Sequence, residues 1–381
     1  MVNSFRPNGD CDMKKFFSAI GISLALCSTH ISTGQACTDF RLKGQDGTVI
    51  IARSMEFAVD LKSNLMTSPR GRTFSDTAPN GKAGMSWKAA YGYVFLDGFN
   101  LGVALDGMNE QGLSVESLYL PGETLYPMVP DGQESHALSY VHFGDWVLGN
   151  FKTVDEVRQA LANVYVFAQT LPQINMIFPL HYAIYDSTGK GLVVEFVNGK
   201  MMLYENIVGV LTNAPTYSWQ ITNLRNYVNL TPVTPKPVVA GGITFVATGQ
   251  GSGMLGLPGD VSPPSRFVKI SVLLKTVFPT NNVDDTLNLA QHIINNVDIP
   301  LGWVRETQQL NTATNELTQW VVFKDLTHKM FYYRTYGDLT LRAVDLSKIN
   351  FAENAPQLKM PIVTKQYVVD MTQQFNGSGG K

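Results

Sequence analysis

The chain has 381 residues but only three cysteines, Cys11, Cys27 and Cys37, and only 16% of its residues are charged. So few thiols exclude a disulfide framework, and stability has to come from a buried core. A formal net charge of −2 with no run of Lys or Arg gives no electrostatic hold on nucleic acid, so none is expected as a partner. The histidines (His30, His136, His142, His181, His292 and His328) form no HExxH and no paired metal spacing. Neither a metal nor an organic cofactor is therefore expected. Beyond the N-terminal segment, no apolar run reaches the roughly 20 residues that cross a bilayer. Gly251-Ser252-Gly253-Met254-Leu255-Gly256 has dinucleotide spacing, but the Leu257-Pro258-Gly259-Asp260 that follows cannot open a helix. The nucleotide reading fails its context test.

What is present starts with a leader. Met13-Lys14-Lys15 is positive, Phe16 to Leu26 is mostly apolar, and Gly34-x-Ala36 supplies the small residues before a signal-peptidase cut. The first twelve residues look like no part of a signal. A cut after Ala36 makes Cys37 the first residue of a periplasmic or secreted chain, with no membrane segment left. Residues 1–36 are read as removed, 37–371 as one catalytic domain and 372–381 as a flexible tail. Neither Gly34-Gln35-Ala36-Cys37 nor Leu24-Ala25-Leu26-Cys27 has both the leucine and the small residue that precede a lipidated cysteine. Cys11 and Cys27 leave with the signal, and the one remaining thiol sits beside a free α-amine.

From Cys37 the chain reads as strands over Cys37–Leu42 and Thr48–Met55, split by Gly44-Gln45-Asp46-Gly47. Asn100–Asp106 and Gly112–Leu120 read as a hairpin turning at Gly107 to Gly112. Helical spacing covers His136–Leu148, and Thr153-Val154-Asp155-Glu156 is a capping box opening a helix to about Val164. Strands return at His181–Tyr185, Leu192–Val197, Lys200–Tyr204 and Ile207–Leu211. Asn198-Gly199 among them is a type I′ turn pair. Tyr217–Tyr227, Phe267–Val277 and Thr286–Val297 read as helices. Gln319–Lys324, Lys329–Thr335 and Leu339–Val344 read as closing strands. Leu230–Gly242, with prolines at 232, 235 and 237, reads as an irregular excursion. The pattern is α+β: stacked sheets with outer helices.

An N-terminal cysteine needs no histidine, because an α-amine with an ordinary pKa near 8 can accept the thiol proton itself. A papain-like Cys–His pair would place the thiol at a helix start, and Cys37 precedes strand sequence. Arg53 is placed to favour the thiolate, and Glu56 to hold the amine.

Cys37-Thr38 followed by Ala52-Arg53-Ser54-Met55-Glu56 resembles the opening of the choloylglycine hydrolase family, which includes bile salt hydrolases and penicillin V acylases. Asp106 to Leu113, Val210 to Pro215, and Gly256 to Asp260 with Ser265-Arg266-Phe267 continue the resemblance in order. It spans Cys37 to about residue 345. It implies a four-layer αββα N-terminal-nucleophile hydrolase, two mainly antiparallel sheets flanked by helices, that cleaves a linear amide of a small molecule. On that pattern Cys37 attacks, Asn213 donates to the oxyanion, and Arg53 and Arg266 are the two arginines near the thiol. There are two departures. Glu56 stands where the family often has aspartate. Tyr119 stands where bile salt hydrolases have asparagine, and so resembles the penicillin V acylase state.

The expected activity is that of a penicillin V-type acylase, with N-acyl homoserine lactones admitted by the same pocket. Conjugated bile salts are the alternative substrate, and a catalytically silent periplasmic binding protein is the alternative of another class. The excursion at Leu230–Gly242 occupies the place of a family extension that reaches a neighbouring subunit, which implies a homo-oligomer, a tetramer.

Overall fold

The computed structural model describes residues 36–172, 175–305, 315–363, 365 and 368–377. Apart from Ala36, the expected leader lies outside the described residues, as do residues 378–381 of the expected tail.

Strands β1 (Cys37–Lys43) and β2 (Val49–Phe57) pair antiparallel from Cys37↔Met55 to Lys43↔Val49. Gly47 takes the left-handed conformation in the connecting turn (φ +90°), which costs a glycine little. Every residue of β2 is buried, as its mostly apolar sequence VIIARSMEF requires of a strand covered on both faces. The chain then forms β3 (Asn64–Ser68), the hairpin β4 (Thr73–Thr77) and β5 (Ala83–Lys88), β6 (Tyr93–Leu96), β7 (Asp106–Asn109) and β8 (Ser114–Tyr119). The sequence reading found no strands between residues 57 and 93.

Its hairpin after Asn100 was displaced. Residues 101–105 are irregular, and Gly107-Met108-Asn109 belong to β7 rather than to the turn. Gly107 is needed for close packing: a Cβ there would meet the Val94 carbonyl oxygen at 2.7 Å. The turn falls at residues 110–113, held by Asn109 Oδ1, which accepts from the N–H of Gln111 and of Leu113.

The helix expected over His136–Leu148 is shorter. Ala137–Ser139 is a strand, β9, paired with β10 (Tyr165–Phe167), and α1 covers only Phe143–Asn150. The Ser139 N–H donates to Asp76 Oδ2, and its hydroxyl accepts from Val141, so the chain turns before the helix begins. Helix α2 (Val154–Leu161) starts as expected, with Thr153 Oγ1 accepting from Glu156 N. Glu156 reaches back to Lys152 N, one residue earlier than in a standard capping box.

Strands β11 (Leu180–Tyr185), β12 (Gly191–Val197) and β13 (Lys200–Glu205) form a meander, with Asn198 and Gly199 both at positive φ. The strand expected over Ile207–Leu211 shrinks to β14 (Val210–Leu211), because Asn206 Oδ1 takes the N–H groups of Gly209 and Val210. After α3 (Tyr217–Asn223), the proline-bearing excursion ends in an exposed hairpin of β15 (Val238–Ala240) and β16 (Ile243–Phe245). Helices α4 (Pro263–Thr276) and α5 (Val283–Ile294) precede β17 (Val304–Arg305), β18 (Asn315–Asp325), β19 (Met330–Thr335), β20 (Asp338–Asp345) and β21 (Lys359–Pro361). A short helix, α6 (Thr372–Gly377), follows.

Two antiparallel sheets result. One runs β14-β1-β2-β18-β19-β20, with β17 on β18, and the other runs β13-β12-β11-β8-β7-β6-β3-β21. Helices α4 and α5 pack on the first sheet, placing Phe267, Ile270, Ile293 and Ile294 in a core shared with Ile50, Ile51 and Phe323. Helices α1 and α2 cover the second, where Phe143, Val147 and Val157 meet Phe95, Tyr182 and Phe196. The layers are αββα. Strand alternation turns Cys37, Asp39, Arg53 and Met55 toward the second sheet, and Thr38 and Glu56 toward α4.

Candidate active site

Cys37 opens β1 at the end of the inter-sheet space and is buried. Ala36 precedes it, so its nitrogen is a peptide N–H. That nitrogen donates to Asn213 Oδ1 at 2.8 Å. Asn213 arrives from far along the chain because β14 pairs with β1 (Phe40↔Val210, Asp39↔Leu211) and releases the chain beside Cys37.

The Asn213 side chain is fixed from both ends. Its Nδ2 donates to the Tyr119 carbonyl oxygen at 2.7 Å, and its Oδ1 also accepts from Arg266 Nη2 at 2.7 Å. Tyr119 ends β8 beside Cys37, and its backbone N–H favours the ionised thiol. Arg266, from the first turns of α4, donates through Nη1 to the Cys37 carbonyl and to Thr38 Oγ1, both at 2.6 Å, and through Nε to the Val261 carbonyl at 2.9 Å. Arg53 Nη2 lies 3.7 Å from Cys37 Sγ and donates to the Ser117 carbonyl at 2.5 Å, and its guanidinium sits over the Trp320 ring. Met55 Sδ is 3.8 Å from the Cys37 sulfur.

Fold topology thus brings Cys37, Arg53, Tyr119, Asn213 and Arg266 together. Glu56 is adjacent but differently employed: its Oε1 accepts from Thr318 Oγ1 at 2.8 Å, and the Cys37 nitrogen, for which the sequence offered Glu56, is held by Asn213. Burial raises the Glu56 carboxyl from an ordinary 4.5 to about 8 against the opposing pull of Arg266. Burial also raises the Cys37 thiol, and the guanidinium groups of Arg53 and Arg266 offset this only in part. A thiol raised in this way is not a standing thiolate.

A cavity of about 80 Å³ opens onto the sulfur, lined almost wholly by apolar side chains that include Met55, Phe57, Phe99, Tyr119 and Phe178. Phe99 stacks on Phe178 at 6.1 Å between ring centroids, and Phe57 meets Phe99 edge-on at 6.0 Å. Sequence reasoning assigned no role to Met55, Thr318, Asp106, Glu116 or Lys324. The signal available for Glu116 was a lone charge inside an otherwise uncharged, mostly buried strand, whereas Lys324 stands beside Asp325 at the end of β18. Among the described residues no cluster of His, Cys, Asp and Glu could hold a metal.

Residues 37–361 match the model of the linear amide C–N hydrolases, choloylglycine hydrolase family. The chain is 32% identical to a bile salt hydrolase/transferase of Clostridium perfringens over 327 residues, covering 84% of this chain and 94% of that protein. A crystal structure of a variant of the conjugated bile acid hydrolase of Clostridium perfringens superposes with a TM-score of 0.77 at 28% identity, covering 87% of this chain and 99% of the other. Penicillin V acylase from Agrobacterium tumefaciens superposes with a TM-score of 0.69 at 26% identity, covering 85% and 91%.

Proposed function

Because the chain belongs to the choloylglycine hydrolase family of linear amide C–N hydrolases, we propose that it hydrolyses an amide whose acyl part is a slender aryl or alkyl group, in the manner of a penicillin V acylase, through a Cys37 thioester. The observation that carries this reading is the Cys37 nitrogen held 2.8 Å from Asn213 Oδ1, with the thiol at the mouth of a narrow aromatic slot.

After a cut behind Ala36, the α-amine takes the thiol proton while Sγ attacks the amide carbon. The negative charge that develops on the carbonyl oxygen is met by the Tyr119 backbone N–H and by the second N–H of Asn213 Nδ2. The α-amine then returns its proton to the leaving amine. Water attacks the thioester by the reverse route, releasing the acid and restoring the thiol. Arg266 ties the Cys37 carbonyl to Asn213 and so fixes the nitrogen's partner. Tyr119 and the Phe57–Phe99–Phe178 cluster form the walls against which the acyl group packs. N-acyl homoserine lactones present the same bond with an alkyl chain.

The second reading is hydrolysis of glycine- or taurine-conjugated bile salts, supported by the 32% identity to the Clostridium perfringens protein. A steroid would need the Phe99–Phe178 wall to move, since ligand pockets of drug-sized molecules run to roughly 300–1,000 Å³. The protein is also proposed to act as a periplasmic or secreted homo-oligomer. Its exposed β15–β16 hairpin, with Val238, Val239, Ile243 and Phe245 in solvent, supports contact with a neighbouring subunit.

The test is amine release from penicillin V, acyl homoserine lactones and conjugated bile salts, run alongside Cys37→Ala. Activity retained by Cys37→Ala would overturn the thioester route. Turnover of bile salts alone would select the second reading.

A further inference from the structure

Below the Cys37 sulfur, five ionisable side chains from five strands meet between the sheets with no exposure to solvent: Asp39 (β1), Arg53 (β2), Asp106 (β7), Glu116 (β8) and Lys324 (β18). Lys324 Nζ lies 2.7 Å from both Asp106 Oδ1 and Glu116 Oε1. Arg53 shares Asp106, but at a longer 3.4 Å from Nη1 to Oδ2. Asp39 stands apart from these pairs, with its Oδ2 accepting from the Tyr185 hydroxyl at 2.5 Å. The thiol itself is faced by Arg53 from β2, Arg266 from α4 and Glu56 from β2.

Three carboxyls and two cations share this dry space. An ion pair stripped of water is costly unless each charge is matched. Lys324 answers both Asp106 and Glu116, so the Arg53 guanidinium is not fully claimed by Asp106. Its other arm is turned to the Ser117 carbonyl and the Cys37 sulfur. Without Lys324, two carboxylates would compete for Arg53 and pull its positive field away from the sulfur.

We propose that Lys324 is a positioning residue for the reaction: by pairing with Asp106 and Glu116, it leaves the Arg53 guanidinium to favour the Cys37 thiolate and so sets the pH range in which the nucleophile ionises. The proposal rests on the reading of Cys37 as the nucleophile. Two shifts accord with it. Burial would lower the Lys324 ammonium, but Asp106 and Glu116 raise it above its ordinary value, and burial raises Glu116 to about 7 against the pull of Lys324. Burial also raises Asp39 well above the carboxylate range, with the charge of Glu116 adding to the effect, so the excess acid holds its proton.

The experiment is the rate of Cys37 alkylation by iodoacetamide from pH 6 to 10 on the purified protein, with the label on Cys37 quantified by peptide mass spectrometry. Glu116→Gln keeps the side chain's shape and removes one carboxylate, so alkylation at pH 8 should rise at least about threefold. Lys324→Met should slow it at least about threefold, and Lys324→Met with Glu116→Gln should return it toward the parent curve. A Glu116→Gln curve that overlies the parent overturns the proposal, and does so even if Lys324→Met fails to fold. A Lys324→Met shift that the double variant leaves unchanged also overturns it. Alkylation reads the thiol without any substrate, so amide turnover by Cys37→Ala would refute the thioester route separately.

Discussion

The nitrogen of Cys37 and Oδ1 of Asn213 lie 2.8 Å apart although 176 positions separate the two residues in the chain. The same amide group bonds Tyr119 through Nδ2 and Arg266 through Oδ1, so one side chain ties Cys37, the end of β8 and the start of α4 together. Asn213→Ala should lower kcat by about 10²–10³-fold, the cost of one lost oxyanion donor. Asn213→Asp retains an oxygen for the Cys37 nitrogen but no N–H, and should be impaired to a similar degree. Steady-state rates of both variants check this, and near-parental turnover by Asn213→Asp would remove the donor role.

Glu56 holds its proton in the folded protein up to about pH 8, whereas an unfolded chain releases it near 4.5. Below pH 4.5 both states are protonated and Glu56 costs nothing. Between pH 4.5 and 8 only the folded state keeps the proton, so stability falls as pH rises, by up to about 1.4 kcal/mol per pH unit for this group. Glu56→Gln removes that slope. Urea midpoints of parent and variant, followed from pH 4.5 to 8, should diverge in the variant's favour, and parallel curves would mean that Glu56 is ionised in the folded protein.

The slot beside the sulfur is closed on one side by Phe178 stacked on Phe99. Phe178→Leu trades a ring for a narrower side chain, so bulkier acyl groups should gain relative to slender ones. The ratio of kcat/KM for conjugated bile salts to that for penicillin V should rise by about tenfold. If the ratio does not change, Phe178 does not bound the acyl group.

The β15–β16 hairpin presents Val239 and Phe245 to solvent at 69% and 57% exposure, an apolar surface that contact with a neighbouring subunit would cover. Val239→Lys with Phe245→Lys should shift the mass seen by light scattering toward smaller assemblies while amide turnover by each chain persists. An unaltered mass would assign this hairpin no part in assembly.

Strand β2 shows how much of the fold was legible. The β-rich run Thr48–Met55, opened by the turn residues before it, reads as a strand, and the structure buries all nine residues of β2. The hairpin at Asn198-Gly199 and the N-cap at Thr153 were equally plain, because turn and cap chemistry is local. The β7 turn was misplaced because Gly107 answers to the Val94 carbonyl across the sheet, a contact no local pattern encodes. The strands β3 to β6 were missed where short elements owe their form to their pairing partners.

The sequence by itself determined that the chain is α+β, that Cys37 heads a strand, and which blocks resemble an amide hydrolase, since residue type and periodicity are carried locally. Only the tertiary structure decided that Asn213 rather than Glu56 holds the Cys37 nitrogen, and that Asp106, Glu116 and Lys324 share a dry pocket under Arg53. Those relationships depend on the register of β14 against β1 and on the stacking of one sheet over the other. Burial there also set the thiol and the Glu56 carboxyl above their ordinary values, because desolvation is a property of the packed interior and not of the chain.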